Sequence, residues 1–351
     1  MKSLLIEGKS VRDVWLKTIL EVFKHGIDIK TEYDKPEDPA SKDSTVLIQI
    51  NNPNSDPISV KNRIMKYKTK YGNEFEIFGH ESDLYLIESV KTGYIEEILD
   101  GKMDHKIGEG PSYPYSYHDR IFNYKPYSFE DFIAKFYNIP YRNLKDISNK
   151  EILKDLFLKL KNDEIYAYER PNSKDSLMLD INDDPFIIGK KEFISIEHLN
   201  FPEINQIDLI VEKLKKSPYS RRCQAITWRP YSDPFRDDPP CLQRLFFRVI
   251  NGELIMETSW RSRDLFKAWS SNVNGMIRLQ EQIAKKLNVK VGTYIDFSNS
   301  LHIYGKDFRE LKDLLIRIAK REKDKSEYLY TFIDKINDIF IKIEMIDLVN
   351  E

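Results

Sequence analysis

Two cysteines are the side chains of this sequence best suited to nucleophilic chemistry, and their surroundings differ. Cys241 follows two prolines in RDDPPCLQR, residues 236–244, whereas Cys223 lies in the apolar run CQAITW. Proline fixes φ and removes a backbone donor, so the segment before Cys241 is stiff. A thiol attacks as the thiolate, which nearby cations favour although the ordinary pKa is about 8.5. Cys241 is therefore the candidate nucleophile, and a small buried residue at a strand start is the alternative.

The sequence also predicts which cation lies near Cys241. The apolar runs RLFFRVI and ELIMETSW are joined by Asn251-Gly252, which is a strong β-hairpin signal. If the two strands pair in register about this turn, Arg261 of the segment WRSRD lies beside Cys241. The pattern thus predicts a thiol next to a guanidinium.

Further polar residues that could bind a ligand follow in the order Arg221, Arg222, Asp264, Asn272, His302 and Tyr304. The two adjacent arginines offer planar donor forks that suit a phosphate, although a solvated pair is the usual alternative. The aspartate and the asparagine could bind the edge of a heterocyclic base, with a loop carboxylate and a helix cap as alternatives. His302 and Tyr304 lie two apart on a predicted strand, and therefore on one face.

The elements that must position these residues predict an α+β fold with one large mixed sheet backed by helices. Ser10 predicts the start of a helix, and Gly26 predicts its left-handed end. The segment 108–120 is rich in tyrosine and glycine and is interpreted as a loop. Strands are predicted for TVLIQI, CQAITW, the two hairpin runs, VGTYIDFS and SLHIY, and helices for about 205–216, 276–287, 307–321 and 328–347.

Residues 125–200 differ from their flanks and carry no recognisable chemical motif. A capping-box signature at Ser148 and Glu151 predicts a helix, and FIIGKKEFISI predicts a hairpin. We therefore interpret 125–200 as an inserted small α+β subdomain of unknown role. It separates an N-terminal part, 1–124, from a core that carries the candidate residues, 201–351.

Composition excludes several classes of function. The 351 residues hold 55 basic and 57 acidic side chains, and the resulting net charge of −2 does not favour nucleic-acid binding. No stretch approaches the roughly 20 apolar residues of a membrane span, so we expect a soluble, cytoplasmic protein without a membrane partner. Two cysteines without CxxC or HExxH spacing predict a metal-free site in a reducing compartment.

Taken in order, these motifs resemble the thymidylate synthase family. The matching segments span residues 204–304 and comprise QIDLIVEKLKKSPYSRRCQAITWRP, PPCLQ, WRSRD, the asparagine of SSNVNG and VGTYIDFSNSLHIY. The segment YPYSYHDR and the PCL motif are similar to the archaeal branch of the family. The family's early phosphate arginine has no counterpart in EYDKPEDPASKDST, and Arg63 is a possible substitute.

The resemblance implies roles for the catalytic residues. Cys241 attacks C6 of a pyrimidine, and Arg261 binds the phosphate and keeps the thiol anionic. Tyr117 matches the tyrosine beside the thiol. The family's glutamate corresponds to Glu96 or Glu97 in YIEEILDG, and Glu96 is our choice.

The resemblance also implies the binding residues. Ser262 assists the phosphate, Asn272 holds the uracil edge, and His302 and Tyr304 hold the ribose hydroxyl. The carbon donor is 5,10-methylenetetrahydrofolate or a methanopterin analogue, whose pterin contacts Asp264. The protein is a homodimer, because a partner subunit supplies Arg221 and Arg222 to each site.

The implied reaction is the reductive methylation of dUMP to dTMP. Thiolate addition at C6 makes C5 nucleophilic enough to capture the one-carbon unit. Hydride then gives a methyl group, whereas water gives a hydroxymethyl group. A hydroxymethylase acting on dUMP or dCMP therefore stays open, as does a non-catalytic nucleotide-binding homologue. Asparagine at position 272 favours uracil over cytosine.

Overall fold

The computed structural model describes residues 2–31, 34–54, 64–72, 74–78, 92–107, 115–125, 187–188, 192–193, 203–230, 233–236, 238–321, 324 and 326–350. The chain divides into two compact units. The larger, here called the sheet unit, comprises Met1–Ile121, Gln206–Thr227 and Cys241–Glu351, and the second unit comprises Phe122–Asn205 and Trp228–Pro240. Most of 125–200 lies outside the described residues, so the proposed limits of the insertion stay a prediction.

The sheet unit is built on a mixed sheet of seven strands. Its strands are β1 Leu4–Gly8, β2 Ile27–Ile29, β3 Ser41–Ile50, β8 Gln224–Ile226, β9 Leu242–Ile250, β10 Glu253–Asp264 and β11 Lys290–Ile303. The main path runs β1-β3-β11-β10-β9-β8, and β2 pairs with β3 beside that path. The β1–β3 and β10–β11 pairs are parallel, and the other pairs are antiparallel. The predicted α+β class with a mixed sheet is confirmed.

The other described elements of the unit are helices and a separate hairpin. The hairpin consists of β4 Ile64–Lys68 and β5 Glu74–Phe78. The helices are α1 Val11–His25, α2 Tyr94–Asp100, α3 Tyr117–Phe122, α4 Gln206–Lys216, α5 Trp269–Leu287, α6 Phe308–Arg321 and α7 Ser326–Asn350, of which the last residue of α3 belongs to the second unit. Within the described helices, none has the length and apolarity needed to cross a membrane.

One face of the sheet forms the core. Alternate residues of β3, namely Val46, Ile48 and Ile50, are fully buried, and α1 and α5 pack against the sheet. On the opposite face Leu5 is 72% exposed and Leu47 is 38% exposed. The sheet therefore carries apolar side chains on both faces, and in the described part of the chain α1 and α5 cover one of them.

The hairpin prediction is confirmed in detail. Asn251 and Gly252 have φ values of 53° and 78°, the left-handed pair that a tight two-residue hairpin turn requires. Glu253 pairs with Ile250 directly across this turn. The local turn chemistry thus fixes the register as far as Ser259 and Arg244, beyond which the pairing shifts by one residue.

The predicted start of α1 at Ser10 is confirmed. Its predicted end at Gly26 is correct in position, but the predicted left-handed conformation of Gly26 is wrong. Ser10 caps the helix by accepting from the Asp13 N–H at 3.2 Å. Gly26 follows the last residue but has φ −64°, so it is not left-handed. A Cβ there would lie 2.5 Å from the Val22 carbonyl oxygen and 2.9 Å from that of Asp43. Glycine is needed because two backbones approach closely.

Two further expectations differ from the structure. VGTYIDFS and SLHIY are one strand, β11, whose register against β3 shifts between Ser298 and Leu301. The segment predicted as a loop ends in helix α3 from Tyr117. Residues 108–114, as well as Arg63, Ser148 and Glu151, lie outside the described residues.

The second unit is described only in part. Strands β6 Ile187–Ile188 and β7 Glu192–Phe193 pair antiparallel within the predicted hairpin FIIGKKEFISI. Tyr124 and Ile204 exchange backbone hydrogen bonds of 3.0 and 2.9 Å. The Tyr124 hydroxyl also donates to the Trp228 carbonyl at 3.0 Å. These contacts bring together the ends of two chain segments of this unit.

Candidate active site

Cys241 and Arg261 are neighbours across the β9–β10 hairpin. The Arg261 N–H donates to the Cys241 carbonyl at 2.8 Å, and the adjacent pair is Leu242 with Trp260. Leu242 and Trp260 are fully buried, whereas Cys241 and Arg261 are both half-buried. Opposed residues of an antiparallel pair project from the same face. The predicted proximity of these two residues is therefore confirmed, and the thiol is not sealed in the core.

Near the end of β10, buried and partly accessible residues no longer alternate strictly. Burial alternates up to Trp260, but Arg261 and Ser262 are both half-buried, and Arg263 is only 3% exposed. The register against β9 also shifts between Ser259 and Trp260, which is typical of a bulge. The extra residue is Gln243 of β9, so the shift does not account for the break in β10, where Arg261 and Ser262 are two consecutive, partly accessible polar residues.

Tyr117 lies against the same strand end. Its hydroxyl accepts from the Leu242 N–H at 3.3 Å, and its ring meets the Trp260 ring edge-on at 5.8 Å. Burial, and then the nearby Tyr115 and Cys241, raise the pKa of Tyr117 well above its usual value. Tyr117 is therefore a neutral hydroxyl close to the thiol.

Asn272 and the candidate glutamates lie on two helices that contact each other. The Asn272 Nδ2 of α5 donates to the Tyr94 hydroxyl of α2 at 2.6 Å. Glu96 on α2 is 3% exposed. Its neighbour Glu97 accepts instead from Lys70 and from the Tyr71 hydroxyl at 3.2 Å. The two carboxylates of YIEEILDG thus occupy different environments.

Asp264 and His302 are register partners on β10 and β11. Asp264 Oδ1 accepts from the Phe266 and Lys267 N–H groups at 2.8 and 3.0 Å, and burial raises the pKa of this carboxyl. Burial likewise lowers the pKa of His302, although the carboxylates of Asp264 and Asp43 act in the opposite direction. His302 is therefore mainly neutral near pH 7.

The ring of His302 has one satisfied and one unsatisfied nitrogen. Nδ1 lies 3.5 Å from the Ser300 hydroxyl, whereas Nε2 is buried without a hydrogen-bond partner in the described part of the chain. The Tyr304 ring packs edge-on against His302 at 4.6 Å. Native proteins usually pair a buried ring nitrogen, so Nε2 is available to a ligand.

Arg221 and Arg222 are exposed and lie far from the thiol of their own chain. The surrounding loop runs beside the distal end of β9, where the Val249 N–H donates to Pro218 and the Phe247 N–H donates to Cys223. At about 3.3 Å per strand residue, that end lies about 20 Å from Cys241. The structure therefore does not bring this arginine pair to the thiol within one chain.

A buried ion pair that the sequence analysis missed underlies the site. Arg263 and Asp296 form a salt bridge with side chains that are 2% and 0% exposed. Arg263 also donates to the Ser298 hydroxyl at 2.8 Å and stacks over the Trp260 ring at 4.2 Å. A carboxylate in the middle of the apolar run TYIDFS is the signal that could have indicated it, because buried acids are usually paired.

Fold and site together define an α+β protein in which a half-buried cysteine and a half-buried arginine are backbone neighbours at the end of a sheet hairpin. The sequence profile described as "Thymidylate synthase" matches residues 159–349, more than half of the chain. The chain belongs to the thymidylate synthase family.

Relatives with curated names match a shorter region. "Putative thymidylate synthase" of Methanocaldococcus jannaschii is 45% identical over 116 residues, which cover 31% of this chain and 52% of that protein. The protein of the same name from Methanothermobacter marburgensis is 36% identical over 112 residues, or 32% of this chain and 50% of that protein. The chain thus spans about half the length of the curated relatives it matches. A solved structure, thermostable thymidylate synthase A from Bacillus subtilis, is 28% identical with a TM-score of 0.30 and covers 32% of this chain and 41% of that one.

Proposed function

We propose that this protein methylates dUMP reductively to dTMP through a covalent adduct between Cys241 and C6 of the pyrimidine. The observation that carries the proposal is the hydrogen bond of 2.8 Å between the Arg261 N–H and the Cys241 carbonyl. This backbone bond makes a half-buried cysteine the cross-strand neighbour of a half-buried arginine, and in our proposal their side chains meet. A cation stabilises the thiolate, which is the attacking species.

In this proposal the residues around Cys241 hold the substrate for attack. Arg261 and Ser262, both partly accessible, bind the phosphate. The neutral His302 directs its unpartnered Nε2 towards the ribose hydroxyl, and Tyr304 contributes to the same subsite. Asn272 binds O4 and N3–H of the uracil, for which an amide supplies one donor and one acceptor.

Two carboxylates have distinct proposed roles. Methylenetetrahydrofolate or a methanopterin analogue supplies the carbon unit and, in a synthase, the hydride. Asp264 contacts the pterin through Oδ2, because backbone N–H groups already bind Oδ1 and fix the carboxylate. Glu96 is the better candidate for the family's glutamate, because Glu97 is bound to Lys70 and Tyr71. Tyr117 stays protonated beside the thiol and keeps its hydroxyl as a hydrogen-bonding group.

We also propose a homodimer that pairs the face of the sheet opposite to α1 and α5. Leu5, Leu47 and Ile226 on this face are 72%, 38% and 38% exposed. An apolar sheet face of this kind favours association with a second copy. The location of Arg221 and Arg222 at the distal end of β9 fits a role in the partner's site rather than in their own.

The test is an assay with dUMP tritiated at C5 and methylenetetrahydrofolate. We expect tritium release together with dTMP, and Cys241→Ala should abolish the release. Cys223→Ala is the matched control, since this other thiol is only 1% exposed, and it should retain activity. Release with hydroxymethyl-dUMP would instead assign a hydroxymethylase. No release, or release that survives in Cys241→Ala, would contradict the proposed mechanism.

A further inference from the structure

The carboxylate of Asp104 binds both residues that flank Tyr117. Its Oδ1 accepts from the Ser116 hydroxyl, and its Oδ2 lies 2.6 Å from the His118 Nδ1. The side chains of Asp104 and His118 are only 24% and 17% exposed, so water competes weakly for this contact. One side chain, from a segment more than ten residues earlier, thus holds the residue before Tyr117 and the residue after it.

The backbone at Gly101 allows this contact. Gly101 ends α2 with φ 62° and leads the chain into a single 3₁₀ turn, Asp104–Lys106. A Cβ at position 101 would lie 2.5 Å from the His118 Nδ1 and 2.7 Å from the Asp104 Oδ2. Glycine is therefore required here both by the left-handed conformation and by the close approach of the Asp104–His118 pair.

Ser116, which Asp104 binds, also begins α3. The Ser116 hydroxyl accepts from the Asp119 N–H at 2.9 Å, and the Ser116 carbonyl accepts from the Arg120 N–H at 3.2 Å. This is the pattern of a helix N-cap. Because α3 has only six residues, it is too short to be stable by itself. The place of its first residue, Tyr117, therefore depends on contacts such as those of Asp104.

The hydroxyl of Tyr117 has a proton to donate towards the thiol. This hydroxyl accepts from the Leu242 N–H at 3.3 Å, and a backbone N–H can only donate, so the phenol proton is left for another partner. Leu242 directly follows Cys241, and Cys241 is among the groups that raise the pKa of Tyr117. A hydrogen bond from this hydroxyl to the sulfur favours the thiolate.

We propose that Asp104 is a positioning residue that promotes the reactivity of Cys241 by directing the Tyr117 hydroxyl towards the thiol. The carboxylate acts through Ser116 and His118, which fix the first residue of α3 from both sides. This inference rests on the proposed function, because it requires that Cys241 is the nucleophile.

The experiment is a double-mutant cycle of Asp104→Ala and Tyr117→Phe, read by the rate at which iodoacetamide alkylates Cys241 at pH 7. Tyr117→Phe removes only the hydroxyl and should slow alkylation about fivefold, the effect of one hydrogen bond. Asp104→Ala should slow it by about threefold, a smaller effect because Trp260 still packs against the Tyr117 ring. In the Tyr117→Phe background Asp104→Ala should have no further effect, since residues that act through one another are not additive.

The control for the removal of a carboxylate is Asp100→Ala. Asp100 is exposed at the end of α2, four residues before Asp104, and its replacement should leave the alkylation rate unchanged. Asp104→Asn keeps the size of the side chain and one acceptor oxygen, so its rate should lie between those of Asp104→Ala and wild type. This conservative variant gives the same test if Asp104→Ala does not fold.

The outcomes separate positioning from a general effect on the fold. An unchanged rate in Asp104→Ala and Asp104→Asn would overturn the inference, and so would equal slowing with and without the Tyr117 hydroxyl. If wild type binds dUMP but releases no tritium, the proposed reaction fails, while the alkylation cycle still tests Asp104. If Cys241 is alkylated no faster than the buried Cys223, both proposals fall.

Discussion

The buried pair Arg263–Asp296 offers a stringent test of how the site is anchored. Asp296→Asn keeps the shape of the side chain and removes its charge, which leaves the guanidinium of Arg263 in a site where it is 2% exposed. The Ser298 hydroxyl is a remaining acceptor, at 2.8 Å. Breaking a buried pair by removing one partner typically costs about 3–5 kcal/mol. We expect about 3 kcal/mol for this isosteric change, because a polar amide stays in place.

The assay is urea unfolding followed by tryptophan fluorescence. Trp260 and Trp269 lie 4.2 and 5.9 Å from the guanidinium, so they report on this region. A loss of about 3 kcal/mol should lower the urea midpoint by up to about 1 M, because the dependence on urea is steep, about 3 kcal/mol per M or more, in a chain of this size. Glu257→Gln is the control, since its pair with Arg248 is 3.3 Å long and partly exposed, and it should cost less than about 1 kcal/mol.

Replacing both members of the buried pair distinguishes charge from packing. Arg263→Met combined with Asp296→Leu should restore much of the stability, because an apolar pair of similar volume carries no desolvation penalty. If Asp296→Asn lowers the free energy of unfolding by less than about 1 kcal/mol, the argument that the charges of this pair stabilise the fold is refuted.

Three further predictions concern protonation, assembly and specificity. Titration by NMR should give His302 a pKa below 6.5, and Asp264→Asn should lower it further because the Asp264 carboxylate favours the protonated ring. Since the unfolded histidine binds protons more readily, its contribution to stability should fall as the pH drops below about 6.5, and His302→Gln should remove that contribution. Leu47→Asp should convert a dimer to a monomer in light-scattering measurements, whereas Leu209→Asp, at a site on α4 that is 56% exposed, should not. Asn272→Asp should shift the binding preference from dUMP towards dCMP, because a carboxylate accepts from the cytosine amino group. If the preference between the two nucleotides does not change, Asn272 does not contact the base.

The features that could be predicted from the sequence are those that neighbouring residues determine. Asn251-Gly252 specifies its own turn, and the turn sets the register of β9 and β10 as far as Arg244 and Ser259. Beyond this pair the register shifts by one residue, and this shift, which the turn does not predict, brings Cys241 opposite Arg261. Ser10 was found for the same reason, because a helix cap is a local hydrogen bond.

The features that sequence reasoning missed depend on distant contacts. Gly26 is required by the approach of the Asp43 backbone, and no neighbouring residue indicates this. The short helix at Tyr117 packs on Trp260, far along the chain, and has too few turns to show a period. The bond between Tyr94 and Asn272 joins two helices that only the folded sheet unit brings together.

The most direct test of the central claim measures the alkylation of Cys241 by iodoacetamide, read by peptide mass spectrometry at pH 7. Cys223 is an internal reference, because it is 1% exposed and should react slowly. We predict that Cys241 reacts fast, that dUMP protects it, and that Arg261→Gln slows it by about tenfold through loss of the neighbouring cation. An alkylation rate of Cys241 that is unaffected by both dUMP and Arg261→Gln would contradict the account.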